Sequence, residues 1–489
     1  MSKNRNRSSM MSLLLLAAIL AGCGGGEHVS EQTSGSDTST TPETTSMYEP
    51  DDLPADLDFS GKTVSILTWA ENKEFCEDQT GEIVDDALYV RDRNVEERLN
   101  VKLEQIGMSY TWNTREEYLG KVRSSVMAGD DTYQIISGQY ATTPSWITDG
   151  CLVDLNKLDY LSFDKPWWIS NIAEETSIAG KLYLMTGDIT LQTTSSVSCL
   201  FVNKRLLNEY KLEDPVALVD SGKWTMDKLF SMSSEMYSDL NSDGTADSGD
   251  LYGFGFMSAN GVYPFVQASD VRVTEMDKDG IPVLNYGTEK VINIYDRVRA
   301  FLHDAEGVYY KHVEDAADAL YVMFNDGRIL FNAGDFGDAR TRYNNMKDEF
   351  LVIPYPKYDD QQKEYRARLG ESNTLFGITV TTTDTNMAAA VMEAMASESY
   401  RIVTPALYEV ALKVKYSMND DTARMFDLIR SGIAYDFGAL YSSVTDIATQ
   451  FRNNIWNNID GWASAYASFE SAHQAQINAF VEAVRKLEN

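Results

Sequence analysis

Lys62-Thr-Val-Ser-Ile-Leu-Thr68, with Trp69-Ala-Glu-Asn72 behind it, is the stretch that decides the fold. Val64, Ile66 and Thr68 share one face of an extended segment, as a half-buried strand requires. Working outward, the apolar spacing of Leu88, Val95 and Leu99, with Arg91, Asp92, Glu96 and Glu97 turned away, predicts a helix over 85–99. A second strand is expected at 101–106, a second helix at 115–128 and a third strand at 133–136, which ends in Ser137-Gly-Gln-Tyr140. Strands alternating with helices at this spacing argue for a parallel sheet. Ligands of such sheets sit beyond the carboxyl ends of the strands, which puts Trp69 and Tyr140 on one candidate rim.

Upstream, Lys3, Arg5 and Arg7 precede an uncharged run through Leu13 to Leu16 and the small-residue stretch Leu20-Ala-Gly-Cys23. A basic head, a short apolar run and a small-residue cleavage site make a secretory signal. The run is shorter than the roughly 20 residues that span a bilayer. Leu-Ala-Gly-Cys also resembles the bacterial lipobox, in which the signal is cut before the cysteine and the thiol is acylated. Cys23 is therefore the expected first residue of an anchored, extracytoplasmic protein. Residues 24–57, rich in Ser, Thr, Gly, Glu and Asp, bury too little to fold and read as a tether.

The 489 residues leave room for two or three domains, and 43% hydrophobic residues mark a folded body. A net charge of −32 repels nucleic acid and anionic lipid, so neither is expected as a partner. Beyond Cys23 stand Cys76, Cys151 and Cys199, which allow at most one disulfide and read as buried thiols. The four histidines are not spaced as metal ligands.

Downstream, 181–185 and 199–203 read as strands of a second unit, and 204–210 as a short helix. Thr225 is a candidate N-cap for a helix carrying Met226, Leu229, Phe230 and Met236. The Asp-Gly turn at Asp279 predicts a hairpin over 271–284. Helices are expected at 290–303 and 316–325, and strands at 328–332, 350–353 and 376–380. From 387 the chain reads as helical to its end, with breaks near 420 and between 434 and 441.

The order of these motifs resembles the extracellular solute-binding proteins of bacterial ABC importers, the maltose-type family. The segments that carry the resemblance are Phe201-Val-Asn-Lys-Arg-Leu-Leu207, Gly222-Lys-Trp-Thr225, Phe324 to Phe331 with Gly334-Asp-Phe336, Ile353-Pro-Tyr-Pro356 and Gly377-Ile-Thr-Val380. Asn94 to Leu103 and Tyr435-Asp-Phe-Gly438 look like a clostridial subgroup. The resemblance spans roughly residues 60 to 440. It implies an α/β, two-lobed type II periplasmic-binding-protein-like fold with a helical C-terminal region, a ligand cleft between the lobes, no catalysis, and delivery of the solute to a membrane permease. The implied division is signal 1–22, tether 23–57, first lobe 58–155 and 354–395, second lobe 156–353, and C-terminal helices 396–489 placed mostly with the second lobe. A monomer is expected.

Carboxylate or amide oxygens recur at Asp239, Asn241, Asp243, Asp247 and Asp250, with Thr245 between and Gly244 at the sharp turn. Hard oxygen ligands alternating in one tight loop are what Ca²⁺ requires, so a structural Ca²⁺ clip is expected. Asp250 stands where a bidentate Glu is usual, and the exit reads as a strand, so no EF-hand pair is expected. An Asp/Gly-rich surface turn is the alternative.

Candidate cleft residues just past predicted strands are Trp69, Glu71, Gln139, Tyr140, Asp188, Asp335, Phe336, Glu371 and Ser372. Flat aromatics with carboxylates and amides suit a carbohydrate. By resemblance, Asp335-Phe336 falls where maltose-type binders place a stacking aromatic. Trp167, Trp168, Trp224 and Trp462 are read as packing. No phosphate loop or nucleophile elbow is present. Two carboxylates could still meet at a sugar by chance, so a lipid-anchored glycoside hydrolase is the alternative, and a binder of another solute or of a protein the next.

Overall fold

The computed structural model describes residues 49–72, 74–111, 113–256, 258–310, 315–370, 373–413 and 420–487. The alternation at 62–68 forms β1 (Lys62–Trp69), which pairs in parallel with β2 (Val101–Met108), Lys62 facing Val101 and Trp69 facing Met108. β3 (Ile135–Gln139) lies on its other side, also parallel. The helices between them span Ile83–Leu99 and Arg115–Ala128. The first stops where Asn100 turns left-handed, at φ 47°, a conformation that Asn tolerates better than most residues.

The second lobe is a mixed sheet. Its strands are β4 (Ser198–Asn203), β5 (Tyr237–Ser238) and β6 (Leu251–Phe256), then, beyond a hairpin of β7 (Thr274–Met276) and β8 (Pro282–Leu284), β9 (Val308–Tyr310), β10 (Ile329–Asp335) and β11 (Phe350–Ile353). The order is β11-β4-β10-β6-β5, with β9 paired to β6. β10 runs antiparallel to β4 and parallel to β6. Asn203 explains the strand-to-helix junction: its side-chain oxygen accepts from Leu206 N at 3.0 Å and its amide donates to Asp348 at 2.9 Å, which starts the Lys204–Glu209 helix. Trp224 is buried, as read, and its indole donates to Pro354 O. Glycine is required at 253, because a Cβ there would stand 2.2 Å from Ser233 O.

β12 (Thr374–Ile378) completes the first sheet, antiparallel to β3, with Thr374 opposite Gln139. The all-parallel expectation thus holds for three strands of the four. The chain re-enters from the second lobe, beside the carboxyl end of β3, and so has to run backwards. The strand expected at 181–185 is absent. That segment leaves the first lobe, and Leu182 bonds loop residues, Asp154 and Leu155, with only Met185 bridging β12 at Phe376.

The last part of the expected tether is docked. Asp51 is buried and accepts from Arg98, from Arg401 at 3.0 Å and from Ser397 at 2.8 Å, while Leu53 joins the core. Burial works against that carboxylate, but Arg98, Arg401 and Ser397 hold its pKa well below the usual range. The signal, Cys23 and residues 23–48 lie outside the described residues. Among the C-terminal helices, Thr404–Lys413 shares a small apolar cluster with the first lobe, in which Leu407 and Val403 meet Val84 and Leu88. The Trp462–Arg485 helix buries Trp462 against Tyr295, in stacked geometry, and just beyond its end Leu487 O accepts from Lys181.

Candidate functional site

Beyond the carboxyl end of β3, a cavity of about 600 Å³ opens between the lobes. Arg115 and Glu116, at the start of the Arg115–Ala128 helix, and Tyr140 and Thr142, after β3, form the first-lobe wall. Tyr263 on the Tyr263–Ala268 helix, Thr449 and Arg452 on the Ile447–Trp456 helix, and Tyr435 form the other. A chamber of about 200 Å³ adjoins it, lined by Ser198, Asn260, Asp335 and Tyr355. Arg368 lines both.

Arg368 is 6% exposed. Its guanidinium donates to the Tyr140 hydroxyl at 3.2 Å and lies 4.7 Å from the centre of the Tyr263 ring. Arg452 lies 5.0 Å from the same ring and donates to the Asn260 side chain. The Tyr263 hydroxyl shares a 3.0 Å bond with Thr449, and Tyr435 meets Tyr140 edge to face. Cation–π contact and hydrogen bonds therefore hold these rings in place before any ligand arrives. Beneath them Tyr286 is fully buried, and burial pushes its pKa well above the ordinary value.

Of the residues read from the sequence, Tyr140 lines the main cavity and Asp335 the adjoining chamber, where Ser198 donates to it at 3.0 Å. Gln139 is half-buried at the end of β3, and its carbonyl accepts from Thr142 and Thr143. Trp69 is not a stacking platform. It is 5% exposed, donates to Thr374 Oγ1 at 3.1 Å and begins an aromatic row, Trp69–Tyr110–Tyr118–Trp146, inside the first lobe. Glu71 is exposed and pins the next loop by accepting from the Ser109 hydroxyl at 2.6 Å and Tyr110 N at 2.8 Å. Desolvation opposes it, yet those donors hold its pKa below the usual value.

Phe336 is 2% exposed and packed edge-on against Phe426, under the Asp420–Ser431 helix, so the place where the resemblance put a stacking aromatic is closed. Asp188 is buried in a two-pronged pair with Arg430, both bonds 2.7 Å. That pair lines a separate cavity of about 450 Å³ with Trp168 and Arg366. Glu371 and Ser372 lie outside the described residues.

Tyr263, Arg368 and Arg452 were missed. Arg368 stands just before Glu371 and Ser372, and its nearness to the return strand was the available signal. Arg452 sits on a helix whose packing partner no local pattern reveals.

In the 239–250 loop, each carboxylate accepts from backbone amides: Asp239 from Ser242 at 2.6 Å and Gly244 at 3.0 Å, Asp243 from Thr245 at 2.7 Å, Asp247 from Gly249 at 2.6 Å, Asp250 from Leu240 at 3.1 Å. The oxygen chemistry suits a hard cation and lone pairs remain on each carboxylate. The acids are not gathered, however: among the described residues no group of three His, Cys, Asp or Glu could hold a metal ion. Cys76, Cys151 and Cys199 are free thiols, the last two buried.

No protein-family model and no curated protein sequence matches the chain. Solved structures do. An ABC substrate-binding protein of Listeria monocytogenes, in complex with cycloalternan, is 12% identical over 86% of this chain and 98% of that one, with a TM-score of 0.53. A cyclo/maltodextrin-binding protein complexed with maltotetraose is 12% identical over 87% and 96%, with a TM-score of 0.54. The GacH receptor of Streptomyces glaucescens, solved unliganded and with acarbose, is 12% identical over 86% and 99%, with a TM-score of 0.55. What this chain shares with all three, over nearly their whole length, is the two-lobed α/β fold of the periplasmic binding proteins.

Proposed function

We propose that this chain is a lipid-anchored, extracytoplasmic receptor that closes its lobes on a carbohydrate, of oligosaccharide size, and hands it to an ABC permease. The observation that carries the reading is the cavity between the lobes, which sets Tyr140, Tyr263 and Tyr435 beside guanidinium and hydroxyl donors. Ring faces cover the apolar side of a pyranose, and convergent polar groups take its hydroxyls. The fold agrees, since the similar solved structures are binding proteins, several of them holding sugars. The attachment is at Cys23, a reading supported by the small-residue context Leu20-Ala-Gly-Cys23; no helix of the described residues is long and apolar enough to cross a membrane. The receptor acts as a monomer, and Ca²⁺ clips the 239–250 loop, a reading supported by the spacing of its oxygen side chains.

A receptor has to release its cargo, so a Kd near 1 μM, roughly −8 kcal/mol, is expected. Calorimetry against a glycan panel tests this. Tyr263→Ala should weaken binding about tenfold, or ~1.4 kcal/mol, without unfolding the chain. Heat from peptides and none from sugars would sink the carbohydrate reading. Glu116 and Asp446 are the carboxylates of the cavity wall, and shortening of the oligosaccharide during incubation would favour a hydrolase built on them.

A further inference from the structure

The main cavity carries two kinds of polar side chain, those already bonded within the protein and those with bonding capacity left. The tyrosines are of the first kind. The Tyr140 hydroxyl accepts from Arg368, that of Tyr263 shares its bond with Thr449, and that of Tyr435 donates to Leu369 O at 3.1 Å. On the first-lobe side the Thr142 hydroxyl donates to Gln139 O, and the Ser145 hydroxyl to Thr142 O. These bonds fix the shape of the cavity.

Gln267 and Asp446 are of the second kind, and both line the cavity. Gln267 stands four residues after Tyr263 in the Tyr263–Ala268 helix, so the two side chains share one face. It is half-buried, and its Oε1 is buried with no hydrogen-bond partner. A buried acceptor without a donor is rare and costly, and it calls for a reason. The terminal torsion of a glutamine is soft, and turning it brings that oxygen to the cavity, where a ligand hydroxyl can donate to it.

Asp446 immediately precedes the Ile447–Trp456 helix, three residues before Thr449. An aspartate in that place ordinarily accepts from the first amides of its helix. Here, with φ −79° and ψ 14°, its side chain makes no cap bond, and the residue is exposed. The carboxylate is thereby left to the cavity, and its two oxygens can accept from two adjacent hydroxyls. The Tyr263–Thr449 bond joins the two helices, so Gln267 and Asp446 each lie one turn from the same fixed point. At both positions the folded protein forgoes a bond that a purely structural residue would make.

We infer that Gln267 and Asp446 are specificity-determining residues of the cavity. Asp446 takes a pair of adjacent hydroxyls on one sugar residue, and Gln267 accepts from a further hydroxyl of the same oligosaccharide. The inference rests on the carbohydrate reading and deepens it. The tyrosines shape the cavity, and these two acceptors distinguish sugars of one size by the configuration of their hydroxyls.

The test is calorimetry of the full chain with maltotriose, cellotriose and raffinose, continued with whichever binds tightest. Gln267→Met and Asp446→Asn keep side-chain size and remove an acceptor, and each should weaken that sugar at least tenfold. The melting temperature of the unliganded protein should hold or rise in both, because Oε1 of Gln267 has no partner to lose and Asp446 makes no cap bond. A structural role moves the readouts the other way, with a lower melting temperature and affinity kept. Asp446 is exposed, so Asp446→Asn decides alone should Gln267→Met lose its thermal transition. A loss under tenfold in either folded variant, or one accompanied by a lower melting temperature, overturns the inference and leaves the receptor reading intact. No heat from any of the three sugars overturns the inference and removes its carbohydrate foundation as well.

Discussion

Glu393 shows what a single buried group does here. It is fully buried, and its carboxylate accepts from both indoles, Trp167 at 3.0 Å and Trp168 at 2.9 Å, with Ser162 N at 3.3 Å. Burial pushes its pKa up to about 7, against those donors. The folded state therefore holds a proton that the unfolded chain has released above its ordinary carboxylate range. The stabilisation is complete below the unfolded pKa and is lost as pH rises through about 7, a swing of at most about 3 kcal/mol. Thermal melts between pH 4.5 and 7.5 should fall with pH from this group. Glu393→Gln should flatten that slope, at the expense of one indole bond worth about 1 kcal/mol. An unchanged slope would place the titration elsewhere. The two tryptophans were legible as packing from their apolar size. The acid beneath them was not, because it stands in an Ala-rich helix, far along the chain, where a lone Glu reads as solvent-facing.

At the scale of elements, periodicity served well where local pattern governs. The 115–128 helix and the 350–353 strand fall where they were read, and the Asp-Gly turn does join β7 to β8. It failed where tertiary context governs. Trp69 and Phe336 stand just past strands, as cleft residues do, yet one is roofed by Tyr110 and the other by the Asp420–Ser431 helix. No spacing rule tells which remote helix covers a strand end. The 239–250 loop is local in pattern: backbone amides bond each of its acids, and lone pairs remain on each for a cation. Binding Ca²⁺ to the folded state alone would add about 2.7 kcal/mol at a hundredfold excess over Kd. A chelator should then lower the melting temperature, and Asp243→Ala should abolish the difference. Identical melts with and without chelator would leave a self-bonded surface turn.

For the whole molecule, the two-lobed plan was readable because motif order survives where identity does not. The cleft contents were half readable: Tyr140 and Asp335 line it, and the arginines came from helices and crossovers without a local signature. Attachment belongs to this scale as well. Cys23→Ala should move the protein from the membrane fraction to the soluble one with solute binding intact. Persistence with membranes would mean another anchor.

The antiparallel return of β12 governs how the chain acquires its structure. Trp69 donates to Thr374 across 305 residues, and β3 keeps an open edge until that strand arrives. The first lobe to be made is thus the last to be finished, after the second lobe has been synthesised and crossed. Long-range closure of this kind slows folding, and an open strand edge is a template for pairing with other chains. A fragment ending before 374 would be an aggregation seed and not a finished lobe.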